Sequence, residues 1–131
     1  MSRTYSVRAV SLALRVSDKW TDNLLSRHPL PGVERSRQGI ERRINDEGLL
    51  AIEFARILNL ELGVSMERAA AIARDAMNAR TRGETSFATP SGLSLHFPNA
   101  DIERRLRERM MDALEATARK PRGRPPRSEK P

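Results

Sequence analysis

Val16-Ser17-Asp18-Lys19-Trp20-Thr21-Asp22-Asn23-Leu24-Leu25-Ser26 is the stretch on which the fold turns. Ser17 is a good N-cap and Asp18 complements a helix amino terminus, so the pattern predicts a helix from Asp18 to about Ser26. Trp20, Leu24 and Leu25 share its inner side with Val16, while Asp18, Lys19, Asp22, Asn23 and Ser26 are left outward. Upstream, residues 5–16 read as a first short helix with Val7, Val10, Ala13 and Leu14 on one face. Arg15-Val16-Ser17 is then a tight connection, and two short helices joined this way make a helix-turn-helix pattern.

Working outward, His28-Pro29-Leu30-Pro31-Gly32 ends that unit, because neither proline nor glycine continues a helix. Val33-Glu34-Arg35 and Ile40-Glu41-Arg42-Arg43-Ile44 flank Ser36-Arg37-Gln38-Gly39, the pattern of a hairpin rich in arginine, as a DNA-binding wing requires. Asn45 caps a third helix with Asp46 and Glu47 in its first turn. Leu49, Leu50, Ile52, Phe54, Ile57, Leu58, Leu60 and Leu62 make it apolar on nearly every side, the pattern of a central core helix. Gly63 closes it, and Ser65 opens a fourth helix striped with Met66, Ala69, Ala70, Ala73, Ala76 and Met77. Ser86–Thr89 and Leu93–Phe97 around Pro90-Ser91-Gly92 predict a second hairpin. A last helix runs from near Asn99 to about Arg119, with Ile102, Leu106, Met110, Ala113 and Leu114 along one seam. That seam packs on its own body or on another copy; we take Ile102, Leu106, Met110 and Leu114 as the seam of a homodimer.

With 131 residues the chain has room for one domain and a tail. The expected architecture is mainly α: a winged helix-turn-helix with a small β-hairpin wing over residues 1–78, and a hairpin plus C-terminal helix for dimerisation over 79–119. A disordered basic tail occupies 120–131, where four prolines leave almost nothing apolar. Cysteine is absent, which removes disulfides, zinc-thiolate sites and thiol catalysis. Ala9–Leu14 is too short for a signal-peptide core and no apolar run spans a bilayer, so a cytoplasmic, nucleoid-associated protein is expected, with no membrane partner. The net charge of +7 is uneven: residues 1–80 hold 13 basic and 10 acidic residues, whereas residues 119–131 hold six and one. A mixed-charge body with a basic appendage suggests a polyanionic partner.

Pro121-Arg122-Gly123-Arg124-Pro125-Pro126-Arg127 resembles an AT-hook, whose Arg-Gly-Arg-Pro centre is matched at Arg122, Gly123, Arg124 and Pro125. Glycine lets such a backbone approach the minor-groove floor, and the arginines enter the strongly negative A·T groove. The competing reading is a generic basic, proline-rich tail. Residues 5–78 resemble the winged helix-turn-helix of the MerR family. The similarity rests on Tyr5-Ser6-Val7, Val10 and Val16-Ser17, on Arg42-Arg43-Ile44 before Asp46-Glu47-Gly48-Leu49-Leu50, and on Leu60-Glu61-Leu62-Gly63-Val64-Ser65-Met66-Glu67. Arg15 stands where that family usually has glycine, and Asp18, Asp22 and Asn23 stand where basic and tyrosine residues are common. The resemblance implies binding to double-stranded DNA as a dimer, with the second helix in the major groove. It implies no effector, so a small-molecule signal is unassigned.

Ser17, Lys19 and Asn23 are therefore the candidates for base or phosphate contact from helix two. Arg35, Arg37, Gln38, Arg42 and Arg43 are the candidates on the wing, with pairing to Glu34 or Glu41 as the competing use of the arginines. Trp20 reads as core in preference to a stacking platform. His28 and His96 are the only histidines, stand far apart and have no metal-ligand spacing, and no phosphate loop or nucleophile motif is present. No cofactor, metal or catalytic residue is expected. The functional expectation is a sequence-specific transcriptional regulator; the alternatives are an architectural or excisionase-like DNA-bending accessory protein and a protein-interaction adaptor.

Overall fold

Local capping sets the first two helices. The Ser6 side chain accepts from the Ala9 amide at 3.1 Å and starts α1, Val7–Leu14. The helix stops because Arg15 turns left-handed (φ 62°, ψ 43°): its amide bonds Leu12 O at 3.2 Å, and the Val16 amide bonds Ser11 O at 2.9 Å. This is a Schellman ending, normally built on glycine. Arg15 is the one non-glycine residue at positive φ among the described residues, a conformation that costs an L-residue roughly 1–2 kcal/mol. The structure, a computed structural model, describes residues 3–34, 41–84, 86–88, 92–96 and 99–119. The first helix is thus shorter than the 5–16 expected. Tyr5 lies outside it, extended, because its amide and carbonyl bond Ile44 at 2.7 and 3.0 Å.

α2, Asp18–Arg27, starts where Ser17 accepts from the Trp20 amide at 3.0 Å, as expected, and runs one residue past Ser26. Its crossing with α1 is pinned by two buried hydroxyls, Ser11 Oγ and Thr21 Oγ1, 2.7 Å apart. Leu24 and Leu25 are buried below them. The chain then turns through Gly32 into β1, Val33–Glu34, which pairs antiparallel with β2, Arg43–Ile44, in the register Val33↔Ile44 and Glu34↔Arg43. β2 begins later than the strand expected at Ile40: Glu41 and Arg42 are not in strand, and residues 35–40 lie outside the described ones. The fully buried Ile44 therefore has Tyr5 on one side and Val33 on the other.

Asn45 accepts from the Gly48 amide at 2.9 Å and opens α3, Asp46–Arg56. Gly48 faces Gly32 backbone to backbone: a Cβ on Gly48 would sit 2.5 Å from Gly32 O. Leu49 to Ala55 are all buried, so α3 is the central helix expected. It widens into a π turn, Ile57–Glu61. The extra residue in that turn rotates the downstream residues by roughly 100° about the helix axis. Leu58 stays buried, but Leu60 and Leu62 come out 51% and 64% exposed, and this corrects their assignment to the core.

Ser65 caps α4, Met66–Thr81, whose buried Ala69, Ala70, Ala73, Ala76 and Met77 let it approach α3 closely. β3, Ser86–Ala88, pairs antiparallel with β4, Ser94–His96, which is the second hairpin expected. Within it Leu95 packs on the core, whereas Leu93 and His96 are exposed. α5, Asn99–Arg119, lies against α1 and α3.

Ile102, Leu106 and Met110 are buried in the same core as Val10, Leu14 and Leu50, with Leu114 packed at its edge. This corrects the expectation of an inter-copy seam: the stripe is used up within the chain, because α1 and α3 offer it an apolar surface. The core likewise ignores a boundary at residue 78, drawing on residues from Ala9 to Ala113. No helix among the described residues is long and apolar enough to cross a membrane.

Two backbone constraints can be measured directly. Gly48→Ala should lower unfolding free energy by about 2–3 kcal/mol, since the new methyl meets backbone that cannot yield. At position 15 denaturant midpoints should rank Gly above Arg above Val, with Arg15→Gly gaining up to about 1 kcal/mol. Equal midpoints would remove the left-handed ending as a strained site.

Candidate nucleic-acid interface

The outer face of α2 is built by helical spacing. Lys19, Asn23 and Arg27 recur every fourth residue, with Asp22 and Ser26 between them, and all five are exposed. Lys19, Asn23 and Arg27 make no side-chain hydrogen bond or ion pair among the described residues. Ser17 is exposed, but its oxygen is engaged in capping, which leaves its proton as the group it can offer. Arg27 was missed by reading the helix only to Ser26; its place four residues after Asn23 was the available signal.

Two acids on such a helix would repel a polyanion, and each has a cation from a neighbouring element beside it. Asp18 Oδ2 is 3.9 Å from Arg8 Nη1 of α1, and Asp22 Oδ1 is 3.1 Å from Arg42 Nη1. The second contact is closer and is doubled, as Arg42 Nη2 also reaches Ser26 Oγ at 3.4 Å. Arg42, expected as a free phosphate anchor on the wing, is thus held against α2. The partner is neither Glu34 nor Glu41: the Arg42 side chain reaches Asp22 and Ser26 of α2 instead. Arg43 is exposed, with a long contact to Thr4 Oγ1 at 3.5 Å. Arg35, Arg37 and Gln38, and the Arg122-Gly123-Arg124-Pro125 motif, lie outside the described residues.

The inner side of α2 is fixed at its start. The Trp20 indole N–H donates to Asn59 Oδ1 at 2.9 Å, and Asn59 Nδ2 donates to the Val64 carbonyl at 2.8 Å. Asn59 sits in the π turn, so the turn that expels Leu60 and Leu62 also aims an amide at α2. Half-buried Trp20 is committed to this contact and to the core, as expected. Below it, Glu53, only 2% exposed, receives two bonds from Arg56 at 2.6 and 3.1 Å, and Arg56 also reaches Glu61 at 3.2 Å. A buried carboxylate is tolerated in the interior when it is paired in this way.

At the root of the hairpin the Tyr5 hydroxyl donates to Asp46 Oδ1 at 2.9 Å. Burial, then the Asp46 bond and charge, hold the phenol above its ordinary pKa. This pair borders an open cleft of about 310 Å³ floored by Leu49, Leu50, Leu106 and Met110, with Arg80 paired to Glu103 at its edge. Among the described residues no three His, Asp or Glu side chains gather as a metal site. Compared with protein-family models, curated proteins and solved structures, the chain finds no match.

Tyr5 is the only tyrosine, so tyrosinate absorbance reads it alone. Its midpoint should lie above about pH 10 and fall in Asp46→Asn, though not fully, since burial is the leading cause. The raised folded value means that this contribution to stability is present below the unfolded pKa. It is lost as pH climbs through the folded one. A midpoint at the free-tyrosine value would refute the partly buried phenol and its bond to Asp46.

Proposed function

We propose that this chain is a winged helix-turn-helix protein, of the kind the MerR family represents, that binds double-stranded DNA and regulates transcription. One observation carries the reading. Among the described residues α2 presents Lys19, Asn23 and Arg27 as an unpaired exposed stripe, with Arg42 of the hairpin held against the same helix, while both of its acids have neighbouring cations. Its 10 residues make a rod about 15 Å long, and a major groove roughly 12 Å wide admits such a helix. In this reading Lys19 and Asn23 meet base edges or phosphates, with Asn suited to the paired donor and acceptor of adenine. Arg27 and Arg43 meet phosphates, and the Ser17 hydroxyl donates to one.

The tail acts separately. Arg122 and Arg124 enter an A·T-rich minor groove beside the site, and tethering to the body raises their effective concentration there. Recognition of two half-sites would need a second copy joined through a surface other than the Ile102–Leu114 stripe, which the core already uses. Light scattering on the complex reads that stoichiometry.

Selection from a random duplex library tests the reading, comparing the full chain with one ending at Arg119. A defined motif is expected with both. Asn23→Ala should cost about 1–3 kcal/mol on that motif. The shortened chain should lose A·T preference, with a salt slope shallower by at least about 2, one unit for each hook arginine. Binding and bending of every duplex alike would instead fit the architectural alternative, and binding of none would end the proposal.

A further inference from the structure

Arg42 reaches from the hairpin to α2, and its partner there has a consequence for selectivity. The guanidinium lies along α2 with its side chain 20% exposed, while the Asp22 carboxylate that holds it is 54% exposed. One fork nitrogen meets Asp22 Oδ1 and the other meets Ser26 Oγ. Ser26 in turn donates to the Asp22 carbonyl at 2.5 Å, which fixes that hydroxyl within the same turn of helix. An anionic oxygen and a hydroxyl, offered side by side to one guanidinium, are what a DNA phosphate and a neighbouring polar group would offer it. The carboxylate stands on the solvent side, so an approaching phosphate meets Asp22 before it meets Arg42.

We propose that Asp22 is an internal stand-in for a DNA phosphate, and that it sets the selectivity of binding by withholding Arg42 from any duplex that does not displace it. This rests on α2 and the β1–β2 hairpin being the duplex-binding surface. An exposed ion pair is weak enough to exchange, and an arginine–phosphate fork is a strong replacement for it. On random sequence, where α2 finds no matching base edges, Arg42 stays with Asp22 and the carboxylate repels the backbone. On a matching site the base contacts hold α2 close enough for a phosphate to take the guanidinium. Selectivity is a difference of affinities, and Asp22 enlarges it by weakening the wrong complexes more than the right one.

Fluorescence anisotropy with full-length protein tests this on a random-sequence 30-base-pair duplex and on the duplex selected from the library, each over a salt series. Asp22→Asn should bind the random duplex about tenfold tighter and with a salt slope steeper by about 0.9, the signature of one more neutralised phosphate. Affinity for the selected duplex should rise less, so the ratio between the two duplexes narrows. In Asp22→Asn/Arg42→Ala the steeper slope should disappear, and Asp22→Glu, which keeps the charge, should behave as wild type. Trp20 fluorescence and far-UV circular dichroism confirm that the variants keep the fold. Unchanged affinity and slope on random duplex in a folded Asp22→Asn protein would overturn the role. So would a loss confined to the selected site, which would make Asp22 a reader of a base. Wild-type protein that binds neither duplex would overturn the underlying reading, and this role with it, and that failure shows in the wild type alone.

Discussion

Ile44 is the residue on which the arrangement depends. Its backbone bonds Tyr5, its register partner across the hairpin is Val33, and its side chain is fully buried. The next residue, Asn45, caps α3 and donates its amide to Gly32 O at 2.9 Å. Two adjacent residues therefore join Tyr5, both ends of the hairpin and the start of the central helix. The close approach of Gly32 and Gly48 is what brings those backbones together, and a side chain at either position would push them apart. Fixing the root of the hairpin in this way also places Arg42 beside α2.

The second support is polar and spans the two faces of α2. The Ser11–Thr21 hydroxyl pair sets its crossing with α1, and the Trp20–Asn59 bond sets its start against the π turn. Buried polar groups raise the cost of any arrangement that leaves them unpaired. A greasy contact between Leu24, Leu25 and α1 tolerates sliding, whereas these bonds do not. These anchors hold the exposed Lys19, Asn23 and Arg27 of α2 in a fixed orientation.

Legibility in the sequence tracked distance along the chain. Ser17, Asn45 and Ser65 were readable as caps because each accepts from an amide three residues on, a contact the local pattern contains. The alanine stripe of α4 and the β3–β4 hairpin were readable for the same reason, from period and turn chemistry. Leu60 and Leu62 were not, since a π turn leaves the apolar pattern intact while rotating the residues beyond it. The Ile102–Leu114 stripe announced a buried face, but its partner lies some ninety residues away in α1 and no local signal names it.

The sequence by itself determined which residues cap α2, α3 and α4, which residues are apolar enough to be covered, and that the excess positive charge gathers after residue 118. These are properties of neighbours, fixed by hydrogen bonds and periodicity within a few residues. Only the tertiary structure decided that Tyr5 leaves the helix for a bridge, that α5 completes the chain's own core, and that Arg42 rests on Asp22. Each of those is a competition between partners far apart in sequence. It is settled by which surfaces come within reach once the Ile44–Asn45 junction has closed.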